Sequence, residues 1–390
     1  MLDEVSFSES TLWISSNHET NNNKRSYFFY PIIIFLTLLL LAIYYATRKR
    51  LLRRGKHYAQ PLLYSTFGIL VLIYVHVSLL SRGSFDSIKQ CEQQQIKSLL
   101  QDMTTNTCKP TFPCVVFYNR LPKAGSTSVL SWMRSRIEEE STRMIHSTIL
   151  KYRYLSHSDQ ISFVDTFWRS LFDRGMHTIF DRHMFYLNTS RISSSTPRPV
   201  YINMVRNPID RCVSRYRYER STRLRIPDVS LDECVLQDGS CHEIFSTTTQ
   251  HTVRPIWYDG STEDAFEILR EECNNYMTRW FCGMSPDCEY PPTFKTLEIA
   301  KKHVKNEYLY VGIMEDMKHS LRMLQYLLPD FFGFDHAWDV PDENFSSEQT
   351  DISASTLKLI EDANSLDLAL YEYIKSLHNS RLRRCVSYLH

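Results

Sequence analysis

Lys123 stands in the run Pro122-Lys123-Ala124-Gly125-Ser126-Thr127-Ser128, between an apolar stretch and a stretch with helical spacing. A turn of small residues leading into a helix offers an anion free backbone amides and the positive end of the helix dipole, and one lysine adds a point charge. The matching chemistry is phosphate binding. The order GxxxxGK(S/T) is absent, so the run is not a Walker A loop, and a plain turn whose Ser or Thr caps the helix accounts for the same residues. A second anion element begins at Arg206, which closes another apolar stretch, with Ser214 about two helical turns further on. A guanidinium and a hydroxyl in that relation suit one further phosphate; solvated arginines on an exposed helix are the simpler alternative. Seven arginines fall between Arg206 and Arg225 against Asp210 and Glu219, a local charge of +5 in a chain whose net charge is only +1. That contrast points to a local anion site and argues against a general nucleic-acid binder.

These residues need elements that hold them still. Residues 115–120 (VVFYNR) form a β-branched and aromatic run that ends in the lysine turn, and helical spacing follows over 129–136. The pattern recurs at 200–205 (VYINMV), which runs into Arg206-Asn207-Pro208 and a helical stretch, and again at 308–313 (YLYVGI). After the third strand, Met314, Met317, Leu321, Leu324 and Leu328 step along one helical face that stops before Pro329 and reads as core. Leu370, Ile374 and Leu377 mark a closing helical region over 357–377. Largely apolar strands alternating with helices predict an α/β fold around a central parallel sheet covered on both faces.

The organisation of the chain gives a setting. Residues 27–46 and 61–80 are each free of Asp, Glu, Lys and Arg and long enough to cross a bilayer core. Six cations and no acid lie in the loop 47–60, which the positive-inside rule puts in the cytoplasm. The alternative is a signal peptide or upstream extension over the first run and a single anchor at 61–80. The expected layout is a tail 1–26, two transmembrane helices 27–46 and 61–80, a polar stem 81–111 and one domain over 112–390. All ten cysteines follow the second apolar run, as suits an oxidising compartment. Close spacing makes Cys234/Cys241 and Cys282/Cys288 candidate local bridges, while the pairing of Cys91, Cys108, Cys114, Cys212, Cys273 and Cys385 stays open. Asn188 and Asn344 each begin a glycosylation sequon.

Four blocks, YNRLPKAGSTS, YINMVRNPIDRCVSRYRY, WFCGMSPDC and NEYLYVGIMEDM, occur in this order. Together they resemble the heparan sulfate and uronyl 2-O-sulfotransferases over residues 115–328. The resemblance implies a P-loop-like sulfotransferase fold and 3′-phosphoadenosine 5′-phosphosulfate (PAPS) as donor. It matches Lys123, Ala124, Gly125, Ser126, Thr127 and Ser128 to the loop that holds the 5′-phosphosulfate, and Arg206 with Ser214 to the 3′-phosphate. Arg120 resembles an arginine that contacts the acceptor sugar. The disulfides Cys234/Cys241 and Cys282/Cys288 stand where the family carries them. A hydroxyl acceptor needs a base, and histidine suits neutral pH. Composition does not single out any of the 14 histidines; the resemblance selects His183. It further implies a single displacement with Lys123 stabilising the leaving group, no metal, a Golgi membrane location with the domain lumenal, and a homotrimer. The acceptor is expected to be a glycosaminoglycan, drawn in by Arg215, Arg217, Arg220, Arg223 and Arg225.

Two departures bear on that expectation. Heparan-sulfate members carry a histidine where this chain has Asp181, which favours the uronyl branch. Residues 331–356 contain no Lys or Arg where relatives have a basic closing loop. Another glycan or glycoprotein acceptor, or a catalytically silent glycan-binding relative, are the competing readings.

Overall fold

The computed structural model describes residues 89–97, 108–137, 142–147, 153–172, 175–193, 196–222, 229–236, 264–288, 290–333 and 352–385. Five strands, β1 (Val115–Asn119), β2 (Thr142–His146), β3 (His177–Arg182), β4 (Val200–Val205) and β5 (Tyr308–Ile313), form one sheet in the order β2-β3-β1-β4-β5. Every neighbouring pair is parallel. The α/β class and parallel sheet predicted from the sequence are therefore present. The chain leaves β1 toward the β2 edge and leaves β4 toward β5, so the strand order reverses between β1 and β4, and ligands of open α/β sheets bind beside the carboxyl ends at such a point.

Alternation along the strands sorts side chains to two covered faces. On one face Phe180, Phe117, Tyr201 and Tyr308 form an aromatic row across β3, β1, β4 and β5, with successive ring centroids 5.0, 5.2 and 5.3 Å apart. The other face carries Val116, Tyr118, Ile202 and Met204 against helices α1 (Ser126–Arg136) and α7 (Met317–Leu327). Between these in the chain lie α2 (His157–Ser162, continued as a π-helix through Trp168), α3 (Pro208–Arg217), α4 (Asp264–Glu272), α5 (Tyr276–Cys282) and α6 (Phe294–Asn306). Two helices close the fold, α8 (Ala354–Ala363) and α9 (Ser365–Cys385), broken at Asn364, whose amide donates to the carbonyls of Cys273 and Ile360.

The predicted face after β5 divides. Leu321, Leu324 and Leu328 are core, whereas Met314 and Met317 pack only partly buried against it. The compact unit begins at Ile88, so part of the expected stem belongs to the folded body. Helix 89–97 reaches β1 through buried Gln95, which accepts the amides of Cys114 and Val115 and donates to the carbonyls of Val115 and Arg198.

Disulfides join Cys91 to Cys114, Cys108 to Cys385, Cys212 to Cys273, and Cys282 to Cys288 as expected. Cys234 is also bridged, and its expected partner Cys241 lies outside the described residues. The apolar runs 27–46 and 61–80, Arg223, Arg225 and Asn344 lie outside them too. Among the described residues no helix is long and apolar enough to cross a membrane, and no group of His, Cys, Asp or Glu is arranged to hold a metal.

Candidate active site

The turn after β1 is held open by backbone geometry. Lys123 has φ +63° and Gly125 φ +76°, both left-handed. A Cβ on Gly125 would also lie 3.0 Å from Met317 Cε, so glycine answers two demands at once. For lysine that conformation is strained, and such strain persists where the surroundings fix it, commonly at functional turns. Asn203 in β4 tethers the turn by accepting the amide of Leu121 at 3.4 Å, while its own amide donates to the carbonyl of Asn119 at 2.7 Å. Gly125 precedes α1 with no side chain capping that end, the kind of helix start, here at Ser126, Thr127 and Ser128, whose amides suit an anion. The sequence alternative of a Ser/Thr cap does not describe this helix.

Lys123 Nζ sits over the Tyr218 ring, 4.2 Å from its centroid. Burial first, then Arg215 and Arg206, push the lysine down to about 8, opposed by Glu272 and Glu219. A half-covered ammonium among arginines is short of negative charge, the condition an anionic ligand relieves. We expect binding of an adenosine bisphosphate at pH 8.5 to take up protons, because the anion restores the lysine's charge. Calorimetry in two buffers of different ionisation enthalpy will show this, and uptake will fade by pH 6.5, where the lysine is already charged.

His183 follows β3, and its Nδ1 lies 2.7 Å from the carbonyl oxygen of Arg120. A carbonyl only accepts, so Nδ1 carries the proton and the neutral ring keeps its lone pair on Nε2. Burial, then Arg120, Arg153 and Arg215, hold His183 well below the usual histidine value against the opposing bond to Arg120. The ring is thus a neutral base at pH 7. Arg215 acts electrostatically on both His183 and Lys123, and Arg120, which bonds the histidine, lies three residues before the lysine.

Arg120 itself is buried, with Nε 2.8 Å from Asp181, and His146 at the end of β2 places Nδ1 2.9 Å from the same carboxylate. Asp181, wholly buried, therefore braces the carboxyl ends of three strands. Arg206 follows β4 directly, and Asn207 caps α3 by accepting the amide of Ile209 at 2.9 Å, with Pro208 in the first turn. Ser214 is two turns up that helix and Tyr218 four residues beyond Ser214, on the same face. The charge of Arg217 is felt at Arg206.

Two of the expected acceptor arginines have partners within the protein. Arg215 is turned inward, 3.1 Å from Glu272 and 3.4 Å from Glu219, and Arg220 donates to the carbonyl of Val229 at 3.1 Å. Glu272 is the centre of this support. Arg153 Nη1 approaches it at 2.5 Å, and Arg211 lies 3.9 Å away while also reaching Asp367. Sequence reasoning missed Glu272, Arg153, His146 and Tyr218; only Tyr218 carried a signal, its four-residue offset from Ser214. Asn188 caps the short helix Thr189–Ile192, its Oδ1 accepting from Ser190 and from the amide of Arg191.

A parallel α/β sheet with a glycine turn and a helix start without a side-chain cap at its strand-order reversal, and a neutral histidine at the end of a neighbouring strand, fits a group-transfer fold. The chain belongs to the sulfotransferase family, whose model matches residues 112–374. It is 28% identical over 235 residues to uronyl 2-sulfotransferase of Homo sapiens, covering 57% of this chain and 50% of that protein. Heparin sulfate O-sulfotransferase of Drosophila melanogaster is 27% identical over 264 residues, 63% of this chain and 66% of its own length. Heparan sulfate 2-O-sulfotransferase 1 of Gallus gallus is 27% identical over 230 residues, 56% of each. The chain thus spans about half the length of the uronyl relative it matches.

Proposed function

We propose that this chain transfers a sulfuryl group from PAPS to the 2-hydroxyl of a uronic acid in a glycosaminoglycan. The observation that carries the reading is His183: a neutral ring with Nε2 unprotonated, fixed by the carbonyl of Arg120, three residues before Lys123. When bound, PAPS supplies the sulfuryl group and an anionic leaving group. Lys123 and the amides of Ser126, Thr127 and Ser128 would hold its 5′ end, with Ala124 and Gly125 giving the turn its shape. Arg206 and Ser214 would hold the 3′-phosphate. His183 Nε2 takes the acceptor hydroxyl proton, and Lys123 offsets negative charge growing on the leaving oxygen. Arg120 and Arg217 are the remaining acceptor contacts, with Arg215 acting through the carboxylates behind the site. The names of the relatives support a glycosaminoglycan acceptor, and the disulfides support a lumenal, Golgi setting.

The test is transfer of labelled sulfate from PAPS by the purified chain to desulfated heparan, dermatan and chondroitin chains. Label on uronic acid is the expected result. Nucleotide binding without transfer to any of the three would move the acceptor to another glycan or a glycoprotein, and no nucleotide binding would leave a glycan-binding role.

A further inference from the structure

Two consecutive carboxylates, Glu315 and Asp316, follow β5, and both are held by α9 through residues seven apart. Tyr371 donates its hydroxyl to Glu315 Oε2 at 3.0 Å. His378 Nε2 lies 2.9 Å from Asp316 Oδ2, and its Nδ1 lies 2.7 Å from the hydroxyl of Tyr310 in β5. The second oxygen of Glu315 accepts the backbone amide of Asn207 at 2.7 Å. Asn207 is the residue after Arg206 and the cap of α3. A chain of hydrogen bonds therefore runs from the buried Tyr371, through Glu315, to the backbone that carries Arg206.

The sheet explains why such a bridge is needed. Val205 of β4 pairs with Ile313 of β5 as the last register pair, so beyond it the ladder supplies no partner for the amide of Asn207. Glu315 continues the connection in place of backbone. By charge alone a carboxylate here disfavours a phosphate on Arg206. Its two oxygens are instead committed to an amide and a tyrosine hydroxyl, which points to geometry as its contribution.

We infer that Glu315, braced by Tyr371, is the positioning residue for Arg206 and so sets the preference of the site for a nucleotide bearing a 3′-phosphate. This rests on the reading that Arg206 takes that phosphate. The readout is the ratio of affinities for adenosine 3′,5′-bisphosphate and adenosine 5′-monophosphate, measured by calorimetry on the purified full chain. Wild type prefers the bisphosphate, and Arg206→Ala removes much of that preference. Glu315→Ala lowers the preference about three- to ten-fold, the scale of one lost hydrogen bond, while affinity for the monophosphate holds. Glu315→Gln keeps an oxygen for the Asn207 amide and recovers most of the preference; Tyr371→Phe gives a smaller loss than Glu315→Ala.

Equal weakening of both nucleotides in Glu315→Ala would show a merely structural role and overturn the inference. An unchanged or increased preference would overturn it as well, an increase marking charge repulsion as the residue's effect. A wild type without the preference, or an Arg206→Ala that keeps it, would instead remove the underlying reading of Arg206. If Glu315→Ala does not fold, Tyr371→Phe decides: a preference equal to wild type in that variant sinks the proposal.

Discussion

His183→Ala lowers kcat for sulfate transfer by about 10²- to 10⁴-fold, the usual contribution of a positioned general base, and leaves nucleotide affinity close to wild type. The split follows from the geometry: the ring touches the carbonyl of Arg120, while the anion loop is built from the Lys123 turn and the first turn of α1. The pH profile sharpens the test. A base works when unprotonated, and burial with three neighbouring arginines depresses this histidine. The acid limb of kcat/KM, which reports the nucleotide-free enzyme at low donor, should therefore fall below the ordinary histidine range near 6.5. Relieving the positive field by Arg153→Met moves that limb upward. A limb at or above the ordinary value in wild type, or full activity in His183→Ala, would assign the base elsewhere.

The second large effect is on stability. Glu272→Ala strips the shared carboxylate from Arg153, Arg211 and Arg215, all buried or nearly so. Breaking a buried ion network by deleting one partner costs about 3–5 kcal/mol because the remaining charges stay desolvated. For a domain of this size that lowers Tm by about 10 °C, read by thermal unfolding followed by circular dichroism. Burial alone would raise Glu272, but the three arginines hold it below the usual carboxylate value. Its stabilising contribution is therefore present above the unfolded glutamate value of 4.5 and is lost as pH falls through the lower native one. Glu272→Gln should flatten the acid slope of Tm below pH 4.5. A variant as stable as wild type would mean that water already screens the cluster.

The parts of the fold legible in sequence are those whose side chains face the core on both sides. β1, β4 and β5 are largely apolar runs, broken only by Asn119 and Asn203 among their apolar and aromatic residues, and all three are buried from end to end. β2, TRMIH, lies at the sheet edge half exposed, so it needs no apolar pattern. β3, HTIFDR, hides apolar character between polar ends, and Asp181 near its carboxyl end is taken up by Arg120 and His146. The site divides likewise. Lys123, Gly125 and Arg206 sit at turns whose local spelling shows what the backbone does there. Glu272 has no such spelling: α4 brings it to Arg153, far earlier in the chain, and only the packed structure makes those two meet. Arg215 shows the converse limit, since a run of arginines looks alike in sequence whether it faces solvent or, as here, buried glutamates.

The placement of α9 bears on when the protein becomes competent during its synthesis. The sheet, the lysine turn and α1 all precede this helix in synthesis, yet the turn beyond β5 takes its anchors from Tyr371 and His378 of α9. Cys385 at the tip of α9 finds its partner in Cys108, ahead of β1. A nascent chain can thus hold a nearly complete parallel core while the backbone around Arg206 still lacks its brace. The Cys108–Cys385 bridge and the hydrogen bonds that fix Glu315 and Asp316 thus depend on one and the same helix, so the covalent and the non-covalent ties of this corner form only once α9 is in place.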